Sequence, residues 1–313
     1  MQKTTIGQSK LSSSRLGYGC WRLAPAGDVK TNLEMARTAV LAAVDAGFTL
    51  FDHADIYCHT RAESAFGEVL RENPKLRKKL LVATKCGIRF ADEPPGAPHR
   101  YDFSAEHIIR SCEQSLRRLH VEEIDLYQLH RPDWLMDATE VAIAFTSLHK
   151  SGKVREFGVS NFSPSQVGMI QRELQQKLEH GLAANQVEIS LARLDAFTDG
   201  TLDQCQALNL TPLAWSPLAG GLLGDGGKDL LPSQQGYRVE GIIAALDVMA
   251  AERNVTRTAL ALAWLLKHPA KIIPLVGSVN PDRIRAAAAA DEIELSREDW
   301  YRLLAAARGE PLP

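Results

Sequence analysis

Residues 104–130, SAEHIIRSCEQSLRRLHVEEIDLYQLH, contain one copy of the pattern that decides the fold. Ser104 stands where a helix N-cap belongs, and Ile108, Ile109, Cys112, Leu116 and Leu119 then recur on one helical face. IDLYQLH (124–130) follows, an aliphatic run of strand length that ends in histidine. Three such runs lie upstream: LGYGCW (16–21), FTLFDHA (48–54) and KLLVATKC (79–86). Four lie downstream: VREFGVSN (154–161), AANQVEIS (183–190), LTPLAWS (210–216) and IIPLVGS (272–278). Helical stretches separate most of them. Ser163-Pro164 and Asn280-Pro281 each offer an N-cap with proline at the first helical position, and Gly47, Gly152 and Gly181 stand where helices should stop. Strand–helix units of roughly 30 residues argue for a parallel sheet, and strands this uniformly apolar are buried on both faces. The expected fold is α/β, a closed (β/α)8 TIM barrel, with a doubly wound open sheet as the competitor.

TTIGQSKLS (4–12) reads as a short N-terminal β-hairpin around Gly7-Gln8. Two connections exceed what a barrel needs: residues 87–103 after strand three, with three prolines, and 217–237 after strand seven, with six glycines. Both leave the C-terminal ends of their strands, where barrel active sites are built, so they read as a substrate wall and a lid over a cofactor, or else as plain surface loops. No linker divides the chain, and residues 1–313 are expected to form a single domain.

The chain is 45% apolar and 24% charged, with a formal net charge of −2, which gives no long-range pull toward nucleic acid or anionic lipid. The opening MQKTTIGQSK lacks the apolar core of a secretory signal, and ALALAWLL (259–266) falls well short of the ~18 apolar residues a membrane span needs. Five scattered cysteines without CxxC spacing fit free thiols in a reducing compartment, so a cytoplasmic location is expected.

Ionisable and polar residues gather at the ends of the strand runs. Asp52 and then Tyr57 follow run two, Thr84-Lys85 end run three, His130-Arg131 end run four and Ser160-Asn161 end run five. Asn185-Gln186-Glu188 lie in run six, and Gly277-Ser278 end run eight. In a barrel these ends share one mouth. A carbonyl that receives hydride becomes an alkoxide and needs a proton, which a tyrosine could supply although its ordinary pKa of about 10 makes it a weak acid. A neighbouring ammonium would lower that pKa. Tyr57, Lys85, Asp52 and His130 could thus form one device: a donor, its ammonium, a carboxylate holding the ammonium, and an imidazole on the substrate oxygen. Singly, Asp52 reads equally as a turn or cap residue, Tyr57 as packing, and His130 either way. Lys85 inside a strand run demands a partner.

At these residues the sequence resembles the aldo-keto reductase superfamily, over almost the whole chain. GFTLFDHADIY (47–57) looks like its signature, with aspartate and tyrosine five apart. GVSNFSP (158–164), NQVE (185–188), WSPLAGGLLG (215–224) and PLVGSVNPDRI (274–284) follow in family order. The resemblance implies a monomeric NADPH-dependent enzyme that moves a hydride between nicotinamide and the carbonyl or alcohol carbon of aldehydes or ketones. Tyr57 would be the general acid, Lys85 and Asp52 its support, and His130 would position the carbonyl. Ser160, Asn161 and Gln186 would face the nicotinamide carboxamide, and Trp215 would stack on its ring. Ser216, Leu218 and Gly220 would lie along the pyrophosphate, and Ser278 and Arg283 would hold the adenosine end. Trp21, Phe90 and Trp134 would shape an apolar substrate pocket.

The sequence departs from the family pattern in places. Trp215 stands where many members have tyrosine, Gly277 where many place a lysine near the 2′-phosphate, and Ala286-Ala287 where Glu and Asn are common. Residues 59–64, HTRAES, replace a glycine-containing turn. Arg283 keeps NADPH favoured, with NADH possible. Gly17-Tyr18-Gly19 fails the GxGxxG fingerprint because Arg22 occupies its last position, so a dinucleotide must be held by another route. Two other functions compete: a cofactor-binding sensor barrel with little turnover, and a metal-dependent barrel hydrolase using Asp52, His53, Asp55, His59 and His130.

Overall fold

A computed structural model describes residues 1–25, 27–227 and 234–311. In chain order it begins with β1 (Lys3–Thr5), β2 (Ser12–Ser14), β3 (Gly17–Gly19), α1 (Val29–Asp45), β4 (Leu50–Asp52), α2 (Arg61–Glu72) and α3 (Pro74–Arg77). Next come β5 (Leu81–Cys86), β6 (Ile88–Arg89), β7 (Arg100–Tyr101), α4 (Ala105–Leu119), β8 (Ile124–Leu129) and α5 (Ala138–Lys150). β9 (Val154–Ser160), α6 (Pro164–Gln175), β10 (Leu182–Glu188), α7 (Thr201–Leu208) and β11 (Thr211–Trp215) follow. The last elements are α8 (Glu240–Arg253), α9 (Arg257–Leu266), β12 (Ile273–Val276), α10 (Pro281–Ala288) and α11 (Arg297–Arg308).

Eight parallel strands close in the order β10-β11-β12-β3-β4-β5-β8-β9, so the chain is a (β/α)8 barrel. The helices bury their apolar stripes outside it. On α4, Ile108, Cys112, Leu116 and Leu119 are buried as the spacing requires, and Ser104 accepts from His107 N as N-cap. Ser163 makes a full capping box with Gln166, and Asn280 caps α10 ahead of Pro281. Helix α9 is apolar on every side because every side is covered. Its Trp264 stacks on Trp300 at 4.9 Å, and each indole N–H donates to the other's carbonyl at 3.0 Å.

The β1–β2 hairpin closes the N-terminal end of the barrel. Ile6 and Leu11 pack with Leu50, Ala83, Leu126, Ala184, Leu213 and Ile273 to fill the interior. The turn comes so close to β10 that a Cβ on Gly7 would lie 2.6 Å from the Ala183 carbonyl, and Gly7, at φ +58°, donates its N–H to Thr211 Oγ1. With that end filled, the polar strand ends gather at the C-terminal mouth.

Most of the observed strands are shorter than the apolar runs, because the last residues of those runs leave the ladder to form the mouth; β5 instead loses its first two residues and keeps Cys86. The 87–103 connection carries its own small hairpin, β6–β7. Gly181 is not a helix stop. α6 ends at Gln175, and Gly181, at φ +69°, belongs to the turn entering β10. Among the described residues no helix is long and apolar enough to cross a membrane.

Candidate active site

Side chains of a strand alternate, so two residues above an inward apolar position the chain points inward again. On four barrel strands that step turns apolar into polar: Leu50 to Asp52, Ala83 to Lys85, Leu126 to Gln128 and Ala184 to Gln186. All four polar groups meet. The Lys85 ammonium, fully buried, donates to Asp52 Oδ2 and to the His53 carbonyl, both at 2.7 Å. Asp52 Oδ1 accepts from Gln186 Nε2 at 2.9 Å and Gln128 Nε2 at 3.3 Å. Room for Gln128 comes from Gly158 on the next strand, whose Cβ would stand 3.1 Å from the glutamine Cγ. The buried pair therefore has the extra hydrogen bonds that such pairs need. Gln128 was legible as the one amide in IDLYQLH, but its place on Asp52 was not.

Tyr57 reaches this cluster from the loop after β4. Its backbone N–H bonds the Ala54 carbonyl, and Cys58, His59 and Thr60 then turn through three successive left-handed residues, at φ 52°, 54° and 70°. Left-handed backbone at non-glycine residues costs about 1–2 kcal/mol each. The turn leaves the Tyr57 hydroxyl 3.1 Å from Lys85 Nζ. The expected lowering of the phenol's pKa does not result. Burial raises it, and the opposing pull of Lys85 is the smaller effect, so the hydroxyl stays protonated at neutral pH. Lys85 is itself raised, because Asp52 and Tyr57 together outweigh its desolvation.

His130 extends β8 by donating its backbone N–H to the Cys86 carbonyl. Its ring stands edge-on to Tyr57 with centroids 5.7 Å apart. Burial, then the charges of Lys85 and Arg131, hold it well below the ordinary histidine value, so the imidazole is neutral. Asn161, left-handed at φ 63°, ties three strand ends together. Its Nδ2 donates to the His130 carbonyl and to Ser160 Oγ, and its Oδ1 accepts from Trp215 Nε1 at 2.9 Å. Ser160 Oγ donates in turn to the Gln186 carbonyl. Trp215 is thereby fixed in orientation at the rim.

Beyond Trp215 the backbone takes positive φ at Ser216, Ala219, Gly220 and Gly221, with Leu218 between them accepting from Gly221 N and Leu223 N. From α10, the Arg283 guanidinium lies against Gly226 of the loop after β11, where a Cβ would stand 2.7 Å from Nη2. Ser278 Oγ accepts from Asn280 N, and its carbonyl accepts from Tyr18 Oη. Arg22 donates to the Gly277 carbonyl, and a Cβ on Gly277 would lie 3.3 Å from its Nη1. The sequence placed Arg22 only as the residue that spoils a glycine motif, whereas it brings a cation to the same strand end. Of the 217–237 connection, residues 228–233 lie outside the described residues.

Among the residues expected to shape a substrate pocket, Trp21 stacks on Tyr57 at 6.1 Å while remaining 60% exposed. Phe90 lies 5.3 Å from His59 and 6.2 Å from His99, forming a wall from the long β5 loop. Trp134 is 94% exposed and does not join them. It borders a cleft of about 430 Å³ with Tyr101, Met136 and Arg131, the last of which also reaches the Trp215 ring at the mouth. The histidines and aspartates drawn as metal ligands do not converge. His53 packs on Phe66 at 4.5 Å with neither ring nitrogen bonded, Asp52 is engaged by Lys85, and no metal-holding group of three occurs among the described residues.

This arrangement can hold a proton on a buried phenol beside a fixed ammonium, and a neutral imidazole beside both. Comparison with known proteins gives the family. The model of the Aldo/keto reductase family matches residues 15–308. The chain is 42% identical to a 6-dehydroglucose reductase of Novosphingobium aromaticivorans, over 98% of this chain and 96% of that one. It is 40% identical to oxidoreductase YdhF of Escherichia coli over the full length of both. It is 39% identical to a 6-dehydroglucose reductase of Agrobacterium fabrum over 99% of each. The crystal structure of a thermostable aldo-keto reductase, Tm1743, bound to the inhibitor epalrestat superposes with a TM-score of 0.79, over 98% of this chain and all of that one. At 24% identity it supports the fold alone. The chain belongs to the aldo/keto reductase family, a family of oxidoreductases.

Proposed function

We propose that the protein is an NADPH-dependent reductase of aldehyde or ketone carbonyls, with Tyr57 as proton donor. One observation carries this reading: the Tyr57 hydroxyl is buried, protonated and 3.1 Å from an ammonium that Asp52 holds in place. The residues present fit a dinucleotide. Trp215 offers an indole face whose tilt Asn161 fixes, the loop from Ser216 to Gly221 is shaped by positive φ, and Arg283 and Arg22 supply cations at the β12 end. When bound, the reduced nicotinamide supplies the hydride. Asn161 Oδ1 and Gln186 Oε1 keep lone pairs for its carboxamide, and Arg283 is placed for the 2′-phosphate.

The chain's own residues do the rest. Neutral His130 donates to the carbonyl oxygen and aims it at Tyr57, Tyr57 passes its proton to that oxygen, and Lys85 stabilises the tyrosinate left behind. The completeness of the Asp52, Tyr57, Lys85 and His130 set favours turnover over a sensor role. Two relatives named 6-dehydroglucose reductase make a sugar-derived aldehyde the first substrate to try. The test is NADPH oxidation across a panel of carbonyls that includes 6-dehydroglucose, with NADH in parallel. Carbonyl-dependent oxidation, faster with NADPH, is expected; no oxidation with any member contradicts the reading.

A further inference from the structure

Like Arg283 across the barrel, and unlike the other cations near the mouth, the Arg131 guanidinium has no hydrogen-bond or ion-pair partner among the described residues. Arg89 pairs with Asp102, Arg100 bonds the carbonyls of Glu93 and Pro98, and Arg22 bonds the carbonyl of Gly277. Arg131, half-buried and directly after His130, makes no hydrogen bond or ion pair among the described residues. Its guanidinium carbon lies 5.6 Å from the centre of the Trp215 ring, and its charge bears on the His130 imidazole. A guanidinium fork left free in this way has the geometry to take a pair of oxygens side by side.

Topology says which ligand. Arg131 leaves β8, which lies four strands from β12 in either direction round the barrel, so it stands diametrically opposite Arg283, Ser278 and Arg22. The residues proposed for the adenosine end therefore lie across the barrel from its backbone, and its guanidinium reaches as far as the Trp215 ring. It extends instead over the mouth between His130 and Trp215, where the carbon to be reduced must sit. The neighbouring wall suits an oxygen-rich molecule. Trp21 presents an exposed indole parallel to Tyr57, able to take the C–H face of a small ring, and His59 is held on Phe90 by the left-handed turn.

We propose that Arg131 is a specificity-determining residue that binds a pair of adjacent oxygens on the substrate, a vicinal diol or a carboxylate, a few bonds from the reacting carbonyl. The proposal rests on the carbonyl-reductase reading. It makes the preferred substrates hydroxylated or acidic aldehydes rather than plain alkyl ones.

The test compares wild type, Arg131→Ala and Arg131→Lys on three small aldehydes: glyceraldehyde for the diol, succinic semialdehyde for the carboxylate and butanal for neither. NADPH affinity is followed by quenching of tryptophan fluorescence. Loss of a charge-assisted fork predicts a KM raised about 10- to 100-fold by Arg131→Ala for one or both oxygen-bearing aldehydes. Butanal kinetics and the NADPH Kd should stay within about twofold, with Arg131→Lys intermediate because it keeps charge without the fork. The two oxygen-bearing arms tell diol from carboxylate. Equal loss on all three aldehydes, or a weakened NADPH Kd, overturns the proposal by making Arg131 structural or a cofactor contact. If wild type turns over none of the three yet reduces another carbonyl of the wider panel, this proposal fails while the reductase reading stands; if it reduces no carbonyl at all, both fail.

Discussion

The Lys85 ammonium stands 3.1 Å from the Tyr57 hydroxyl and 2.7 Å from Asp52 Oδ2, with no part of its side chain exposed to solvent. A charge so placed must be matched, because an ion buried without a partner is strongly destabilising. Lys85→Met leaves the Asp52 carboxylate unmatched and is expected to lower stability by about 3–5 kcal/mol. The double change Asp52→Asn with Lys85→Met removes both charges and should recover most of that loss, while carbonyl reduction stays abolished in both. Denaturant melts of the three proteins check this. A double variant no more stable than Lys85→Met would show that the pair's charge balance is not what matters.

The turn that delivers Tyr57 is costly, and one of its residues can be relieved. Thr60 is β-branched, sits at φ 70° and makes no side-chain cap for α2. Thr60→Gly removes the strain without losing a hydrogen bond, so stability should rise by about 1 kcal/mol. A fall in the unfolding midpoint would mean that the threonine makes a contribution outside this account.

His53 is buried against Phe66, and burial first, then Lys85, push its pKa down to about 3. Below the ordinary histidine value near 6.5 the unfolded chain takes up a proton that the native ring refuses. Native stability therefore falls as the pH drops from 6.5 toward 3. At pH 5 the contribution is about 2 kcal/mol for this ring alone. His53→Asn should shrink the stability difference between pH 7 and pH 5 by that amount. Equal differences in both proteins would place the ring's titration elsewhere.

Arg283 is expected to read the cofactor's 2′-phosphate, its guanidinium lying against Gly226 rather than on a carboxylate. Arg283→Ala should weaken NADPH about 10- to 100-fold and NADH by much less. Binding of both, followed by tryptophan fluorescence, decides it: equal weakening removes Arg283 from that role.

The barrel was legible because its signal is periodic. Eight apolar runs recur along the chain, most of them ending in polar residues, and caps such as Ser104, Ser163 and Asn280 mark the helices between them. The meeting of Asp52 with Lys85 was legible for a related reason, since a lysine inside LVATKC needs a partner. Long-range placement was not. Gln128 and Gln186 share an Asp52 oxygen only because strand register lifts both to one level, and Asn161 joins His130 to Trp215 only once the barrel is closed. The sign of the Tyr57 shift was misread because desolvation depends on burial, which spacing does not report. Arg131 passed unnoticed because what marks it is the absence of a partner among the described residues.

The central claim is that the phenol of Tyr57 gives the proton, and Tyr57→Phe removes that proton while keeping the ring between Trp21 and His130. Steady-state reduction of a carbonyl accepted by the wild type, alongside the NADPH Kd of both proteins, is the measurement. The account predicts turnover reduced at least about 100-fold with NADPH affinity within about twofold. Turnover within a few fold of wild type, with the cofactor still bound, would contradict it.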